Sequence, residues 1–502
     1  MDVTVAARRD VPGSAKEPPV ADCEPGTWAQ ANAAHISRRP ASWLDPRTLW
    51  AARNQVVSWI ADPVDAVRAH WVDVARDREQ EAGRSPDFVV DRSDSAGAVL
   101  ILGDPGEGDL SQYAVVPALE AATDGVDLGV VCSDVIYPAG SAAEYPDKFT
   151  WPYRNLAFPL WAAPGNHDWY DGLRGFLANF CDLHAEGPGR ASFPPGPRGW
   201  LAWRWWRRDP PLTTEELARM RALPDETRAA RRPQPAPYFA LDTSYVRYVV
   251  IDTGIDGRID QQQRRWLWRV SLGDPRPKVL LTGKPLYVNG KADDRTSDVD
   301  AVVRDPGTRF VAAIGGDTHN YQRYRIDVGG RTITYIVSGG GGAFMHDTHS
   351  IPKVDLPGTP EEEFRLFPLR RDSLTRYSQV IDRKLGAGLG LLRVDPEDAG
   401  RYFVQHHGIN PLPADVDIDM TKPLGMRPRL AASVLSRLYA GPWFHRLLGP
   451  VVFDWDRPRV FKQFLRLEPS AETLVVRCLS ASGCAGFEHQ VAEEDRVEIP
   501  LR

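Results

Sequence analysis

The stretch AVLILGDPGEGD, residues 98–109, joins five consecutive apolar residues to a loop of glycines and carboxylates. A short run containing Val and Ile, with no polar alternation, fits a strand covered on both faces. The pattern recurs. LGVVC (128–132) leads into Ser133-Asp134, LAFPLWA (156–162) into Gly165-Asn166-His167-Asp168, and FVAAI (310–314) into Gly315-Gly316-Asp317-Thr318-His319. RYVVID (247–252), KVLLT (278–282) and TITYIV (332–337) read as further buried strands. Tyr113, Val116, Leu119 and Ala122 recur at helical spacing after the first strand, and Gln263, Trp266 and Leu267 do so later. Strands alternating with helices imply a layered α/β fold, in which ligands gather beyond the carboxyl ends of the strands.

Composition narrows the class. The chain has 502 residues, 42% apolar and 25% charged, as in ordinary globular proteins. A net charge of -6 lacks the basic balance that meets a phosphate backbone, so no specific nucleic-acid binding is expected. No apolar run approaches the roughly 18 residues of a spanning helix. The opening MDVTVAARRDVPGSAKEPP has no apolar run behind its charges and does not read as a secretory signal. Cys23, Cys132, Cys181, Cys478 and Cys484 are odd in number and scattered, which fits reduced thiols. Together these features lead us to expect a cytoplasmic protein.

Along the chain, residues 1–45 are rich in Pro, Ala and charge without periodicity and read as an extended arm. Over 46–95, Leu49, Val56, Ile60, Val64, Val67 and Trp71 predict helices broken near Pro63. The core is expected over 96–345, interrupted by an insertion at 183–237; residues 346–455 read as a second insertion or lid. FKQFLRLE, ETLVVRCLS and DRVEIPL within 456–502 alternate like strands of a small β module.

Each strand end delivers oxygen or nitrogen donors: GDPGEGD (103–109), SDVIY (133–137), GNHDWYD (165–171) and GGDTHNYQR (315–323). Two metal ions about 3.5–4 Å apart need a bridging carboxylate, terminal ligands and open positions for water and phosphate, which such loops can supply. Taken in order, Asp104, Asp134, Asn166-His167-Asp168 and His319 resemble the calcineurin-like metallophosphoesterase superfamily over roughly residues 96–345. Gly103-Asp104-Pro105-Gly106 and Ser133-Asp134-Val135-Ile136-Tyr137 look like the GDxG and GDxxY variants of the purple acid phosphatases.

The resemblance implies a four-layer α/β/β/α sandwich and metal-dependent hydrolysis of a phosphomonoester or phosphodiester. It further implies that Asp104, Tyr137 and His319 hold a first metal, that Asp134 bridges, and that Asn166 binds a second. His167 becomes the general acid, with Asp168 orienting its ring, and a metal-activated hydroxide the nucleophile. Two positions depart from the family. Gly283 stands where a lone ligand histidine is expected, and Asp317 replaces the first histidine of GHxH. The remaining donors, with Asp317 as a ligand, are oxygen-rich and suit Mn, Mg or Fe better than Zn. Lys284 beside the gap can pair with Asp317 or meet a phosphate oxygen. The same departures fit an alternative, a weakened phosphoesterase-fold binding or scaffold protein with one metal.

Other residues carry two readings. Glu107 and Asp109 either join the site or cap the helix that follows. His346 and His349 either reach a phosphate, His346 as a substrate-binding residue, or satisfy local hydrogen bonds. The glycines Gly339 to Gly342 read as a tight strand exit. In RGWLAWRWWRRDPP, beginning at Arg198, tryptophans alternate with arginines. That segment reads as a packed lid, an anion clamp, or a peripheral contact with an anionic membrane.

Overall fold

The computed structural model describes residues 26–36, 45–209, 213–215, 218, 234–384, 386, 388–409, 418–439 and 461–502. Most of the expected arm, the centre of the 183–237 insertion and parts of the 346–455 region lie outside these residues. The described strands are β1 (Val89–Asp91), β2 (Ala98–Gly103), β3 (Val126–Cys132), β4 (Leu160–Ala163), β5 (Phe239–Asp242), β6 (Arg247–Ile251), β7 (Lys278–Thr282), β8 (Tyr287–Val288), β9 (Lys291–Ala292), β10 (Phe310–Gly315), β11 (Tyr321–Val328), β12 (Arg331–Ser338), β13 (Asp355–Leu356), β14 (Thr359–Pro360), β15 (Arg365–Phe367), β16 (Lys462–Pro469), β17 (Thr473–Ala481) and β18 (Val491–Pro500).

Two mixed sheets carry the fold. One runs β1-β5-β6-β7-β10-β12-β11-β15 and the other β18-β17-β16-β2-β3-β4. They pack face to face around one apolar core; Trp161 of β4 lies 5.4 Å from Phe239 of β5, ring to ring. At the ends of β2 and β12 the sheets approach closely: a Cβ on Gly103 would stand 1.8 Å from the Ser338 carbonyl oxygen. Only glycine fits there. Helices flank both sheets, giving the α/β/β/α sandwich: Gln261–Leu272 and Ser297–Arg304 beside the first, Val116–Ala121 beside the second.

Register explains why the loops converge. In the parallel run β2-β3-β4, Gly103 pairs with Cys132 and Cys132 with Ala163. In the other sheet Gly315 pairs with both Thr282 and Val337. Within each sheet these strands end within a residue of one another, three in one and three in the other, and the loops beginning at 104, 133, 164, 283, 316 and 339 leave from their carboxyl ends. The runs that predicted these strands are buried along their whole length in β2 and β7. LAFPLWA forms strand only over Leu160–Ala163, because Pro159 removes an amide from the ladder.

The C-terminal strands β16, β17 and β18 form an antiparallel meander, and β16 pairs antiparallel with β2, so this module extends the core sheet. Over 346–455, helices Arg370–Lys384, Pro396–His407 and Met426–Tyr439 build a second apolar cluster around Leu374, Tyr377 and Phe403. At the other end lie three helices, Pro46–Ala51, Asn54–Ala61 and Val64–Glu81; the last two part at Asp62 (φ 38°) and Pro63, where the pattern places a break, while the gap after Ala51 was not expected.

Among the described residues no helix is long and apolar enough to cross a membrane. The thiols need a correction. Cys132, Cys181 and Cys478 are free and buried, but Cys484 is disulfide-bonded. The expectation of five reduced thiols does not hold, and the cytoplasmic reading loses that support.

Candidate functional site

The loop after β2 starts with Asp104 and the loop after β3 with Ser133-Asp134, all with left-handed backbone (φ 51°, 75° and 28°). Asp317, after β10, is also left-handed at φ 64°. Such conformations are costly for residues with a side chain, although Asp tolerates them better than most. They turn the carboxylates back over the strand ends. Neighbouring glycines make room: a Cβ on Gly165 would stand 2.1 Å from the Asp134 amide nitrogen and from its Oδ1. A Cβ on Gly316 would stand 2.5 Å, and one on Gly339 2.7 Å, from Asp104 Oδ2. The glycine run after β12 is a tight strand exit, tied down where the Gly341 and Ala343 amides donate to Gly103 and Asp104 carbonyls.

The Tyr137 hydroxyl is the hub. It lies 3.0 Å from His319 Nε2, 3.0 Å from Asp134 Oδ2 and 3.3 Å from Asp104 Oδ1. His319 Nδ1–H donates to the Phe344 carbonyl (2.6 Å), which leaves the Nε2 lone pair facing the phenol. Burial pushes the His319 ring down to about 3, so it is neutral. Burial, then the Asp134 and Asp317 carboxylates, drive Asp104 well above the usual carboxylate range. Burial and the same kind of neighbours raise the Tyr137 phenol.

By donor type, though not by placement, this set suits a cation. One phenol proton cannot serve three acceptors, whereas a metal ion takes two carboxylates, a phenol oxygen and an imidazole as ligands together. Among the described residues, no three His, Cys, Asp or Glu side chains stand close enough, as placed, to chelate an ion. His319 Nε2 and Asp104 Oδ1 are 4.0 Å apart, with the phenol oxygen touching both.

Asn166, Asp317 and Lys284 form the other half of the site. Lys284 Nζ is ion-paired with Asp317 Oδ1 and lies 3.1 Å from Asn166 Oδ1. The Asn166 amide nitrogen donates to Tyr170 Oη at 2.9 Å, which fixes which end of the amide faces the lysine. The Asp317 amide donates to Asp104 Oδ2 at 2.8 Å, coupling the two halves.

His167 stands beside the phenol, its ring 4.3 Å from that of Tyr137 and its Nε2 3.9 Å from Asp134 Oδ2. The expected His167–Asp168 orienting pair is corrected here. His167 Nδ1 is 2.7 Å from the Pro138 carbonyl oxygen, which holds the ring. Asp168 points into the loops, where its Oδ2 accepts the Gly165 and Val135 amides at 2.9 and 3.0 Å. It organises backbone, because a carboxylate ringed by amides satisfies their orphaned N–H groups. Burial and Asp134 push Asp168 up to about 8, against the pull of those amides. Burial also lowers the His167 imidazole, with Asp134 opposing.

His346 lies flat against His319, with centroids 4.1 Å and planes 5° apart, and its Nδ1 accepts the His319 amide at 3.1 Å. His349 is elsewhere, hydrogen-bonded to Ser373 and edge-on to Tyr377. Asp109 caps helix Leu110–Tyr113 through the Ser111 amide, as one reading held. The positioning groups that sequence reasoning missed are Tyr170 and the Pro138 and Phe344 carbonyls. Tyr170 was visible inside GNHDWYD; a backbone carbonyl leaves no signature in sequence.

The Trp/Arg segment forms helix Gly196–Trp205, packed beside Asn54–Ala61. Trp206 is buried next to Gly172, and Arg207 donates to the Ala139 carbonyl, so the segment is anchored on the loops behind His167. Its outer face exposes Trp200, Leu201 and Trp205, and the neighbouring helices expose Leu49, Trp50, Val56, Trp59 and Ile60. Arg47, Arg198, Arg204 and Arg208 are exposed around them.

No family model matches the chain, and no curated protein matches it. Among solved structures it is similar to the purple acid phosphatase PPD1 from yellow lupin (Lupinus luteus) seeds, at 13% identity and a TM-score of 0.39, covering 80% of this chain and 53% of that one. The chain thus spans about half the length of that phosphatase. It is also similar to GAP50, the anchor in the inner membrane complex of Plasmodium (10% identity, TM-score 0.35, 53% of this chain and 76% of that one). A third likeness is to PhoD (14% identity, TM-score 0.28, 49% and 57%).

Proposed function

We propose that the chain is a metal-dependent phosphoesterase, hydrolysing a phosphomonoester or phosphodiester at the edge where β2, β3, β4, β7 and β10 end. The observation that carries this reading is the convergence of Asp104, Asp134 and His319 on the Tyr137 hydroxyl, with the His167 ring alongside. Asp104, Asp134, Tyr137 and His319 would hold the ion, of the Mn, Mg, Fe or Zn kind. When bound, it supplies water activation and neutralises charge developing on phosphorus. Lys284 would donate to a phosphoryl oxygen, with Asn166 Oδ1 holding its ammonium in place. His167, fixed through Nδ1 by Pro138, offers Nε2 to the leaving oxygen. An arriving phosphate anion favours the protonated ring that burial alone disfavours.

The test is turnover of p-nitrophenyl phosphate and bis-p-nitrophenyl phosphate with each metal in turn, and its loss in His319→Ala. No turnover with any metal, together with a ligand-induced rise in melting temperature, favours a binding or scaffold protein on the same fold. The aromatic face with its arginine rim supports docking on an anionic lipid surface, since interfacial tryptophans and guanidinium forks match headgroup chemistry. Flotation with phosphatidylserine vesicles is expected and should fail for Trp200→Ser/Trp205→Ser. Equal flotation of both proteins removes this contact.

A further inference from the structure

Resting on the phosphoesterase reading, we propose that this centre is built for one metal ion, with the Lys284 ammonium in place of a second. Each donor that a second ion would require already has an occupant. Asp134 Oδ1, the oxygen a bridging carboxylate would offer, accepts the His167 amide at 2.8 Å. Asn166 Oδ1 and Asp317 Oδ1 both contact Lys284 Nζ. At Gly283 no ligand can be supplied by substitution either. A Cβ there would stand 2.7 Å from the Pro164 carbonyl oxygen, a backbone atom that cannot swing aside.

The lysine is part of the fold here. Its residue is 8% exposed, and its amide donates to Thr253 Oγ1 at 3.2 Å, which fixes where the side chain starts. A second cation placed beside the buried Lys284 ammonium would be repelled by it at close range, and burial makes that repulsion expensive. An ammonium also keeps three donors, enough for Asn166, Asp317 and one phosphoryl oxygen. Lys284 thereby acts as a substrate-positioning cation that needs no metal supply.

The experiment uses the full chain, stripped by chelator, reloaded with Mn²⁺ alone and freed of excess ion by gel filtration. Metal per chain and the Mn²⁺ electron paramagnetic resonance spectrum are then measured. One ion per chain with the six-line signal of an isolated ion is expected. Two ions with an exchange-coupled signal overturn the Lys284 assignment and leave the phosphoesterase reading standing; no ion overturns both. In Lys284→Met the count should stay at one while affinity of the Mn-loaded protein for inorganic phosphate falls at least tenfold. Unchanged phosphate affinity also overturns the assignment. Should that variant fail to fold, the wild-type stoichiometry and spectrum decide alone.

Discussion

Arg68 sits on helix Val64–Glu81 with no solvent exposure of its side chain, and replacing it by methionine keeps most of the volume while removing the charge. Its guanidinium lies 2.9 Å from Asp252 Oδ2, 3.1 Å from Asp260 Oδ2 and 3.1 Å from Asp65 Oδ1. Asp65 is largely exposed and will rehydrate, so its loss costs little. Asp252 is fully buried and would keep only the Trp169 indole and the Gly254 amide as donors. Breaking a buried pair from one side typically costs about 3–5 kcal/mol. The two surviving donors put the expectation near the lower end, about 3 kcal/mol. Equilibrium urea unfolding followed by tryptophan fluorescence measures it. Arg68→Met/Asp252→Asn should recover roughly 1–2 kcal/mol of the loss, because the amide removes the orphaned charge. A single-variant loss below about 1 kcal/mol, or a double variant no better than the single, refutes the reasoning. Trp169 follows His167 and Asp168 directly, so this ion pair braces the loop that carries them from helix Val64–Glu81.

His167→Gln should lower kcat by about 10²–10⁴ on esters with poor leaving groups and far less on p-nitrophenyl esters, with metal content unchanged; equal losses on both would exclude a general acid. Gly165→Ala forces its new methyl into the Asp134 amide and carboxylate, and should cost about 1–3 kcal/mol in stability together with bound metal. Full metal content in that variant would show that the loops are not rigid. Burial alone would raise Asp274, but the Arg276 fork and amide, with Arg247, pull it down to about 2. A depressed carboxylate contributes stability above its unfolded value near 3.8 that fades as pH falls through about 2. Asp274→Asn should therefore be less stable by roughly 1 kcal/mol at pH 7, allowing for solvent screening, with the gap narrowing below pH 4.

What the sequence disclosed follows from what local chemistry can encode. Buried strands such as AVLIL and KVLLT are unbroken apolar runs, and their polar termini named Asp104, Asp134, Asn166 and His319 in advance. β11 escaped because Tyr321-Gln322-Arg323-Tyr324-Arg325 mixes charge into a strand that is nevertheless mostly buried. Its Arg323 is neutralised by Asp495 from β18, a partner 172 residues away that no local pattern reveals. Gly329-Gly330, both with positive φ, marked the hairpin turn to β12 and was a usable signal. The partner of His167 was misread for a similar reason: Asp168 is adjacent in the chain, yet the ring is held by a main-chain oxygen brought in from the β3 loop. The pairing of Lys284 with Asp317 was legible because the lysine directly follows Gly283 and the aspartate stands two positions before His319.

The left-handed backbone at Asp104, Asp134 and Asp317 puts stability and chemistry in opposition. Each such residue withholds about 1–3 kcal/mol from the fold. Glycine there would relieve that strain but orphan the His167 and Asp317 amides and the buried Lys284 ammonium, which the three carboxylates now hold. The same side chains that strain the loops are thus the pegs on which neighbouring loops hang.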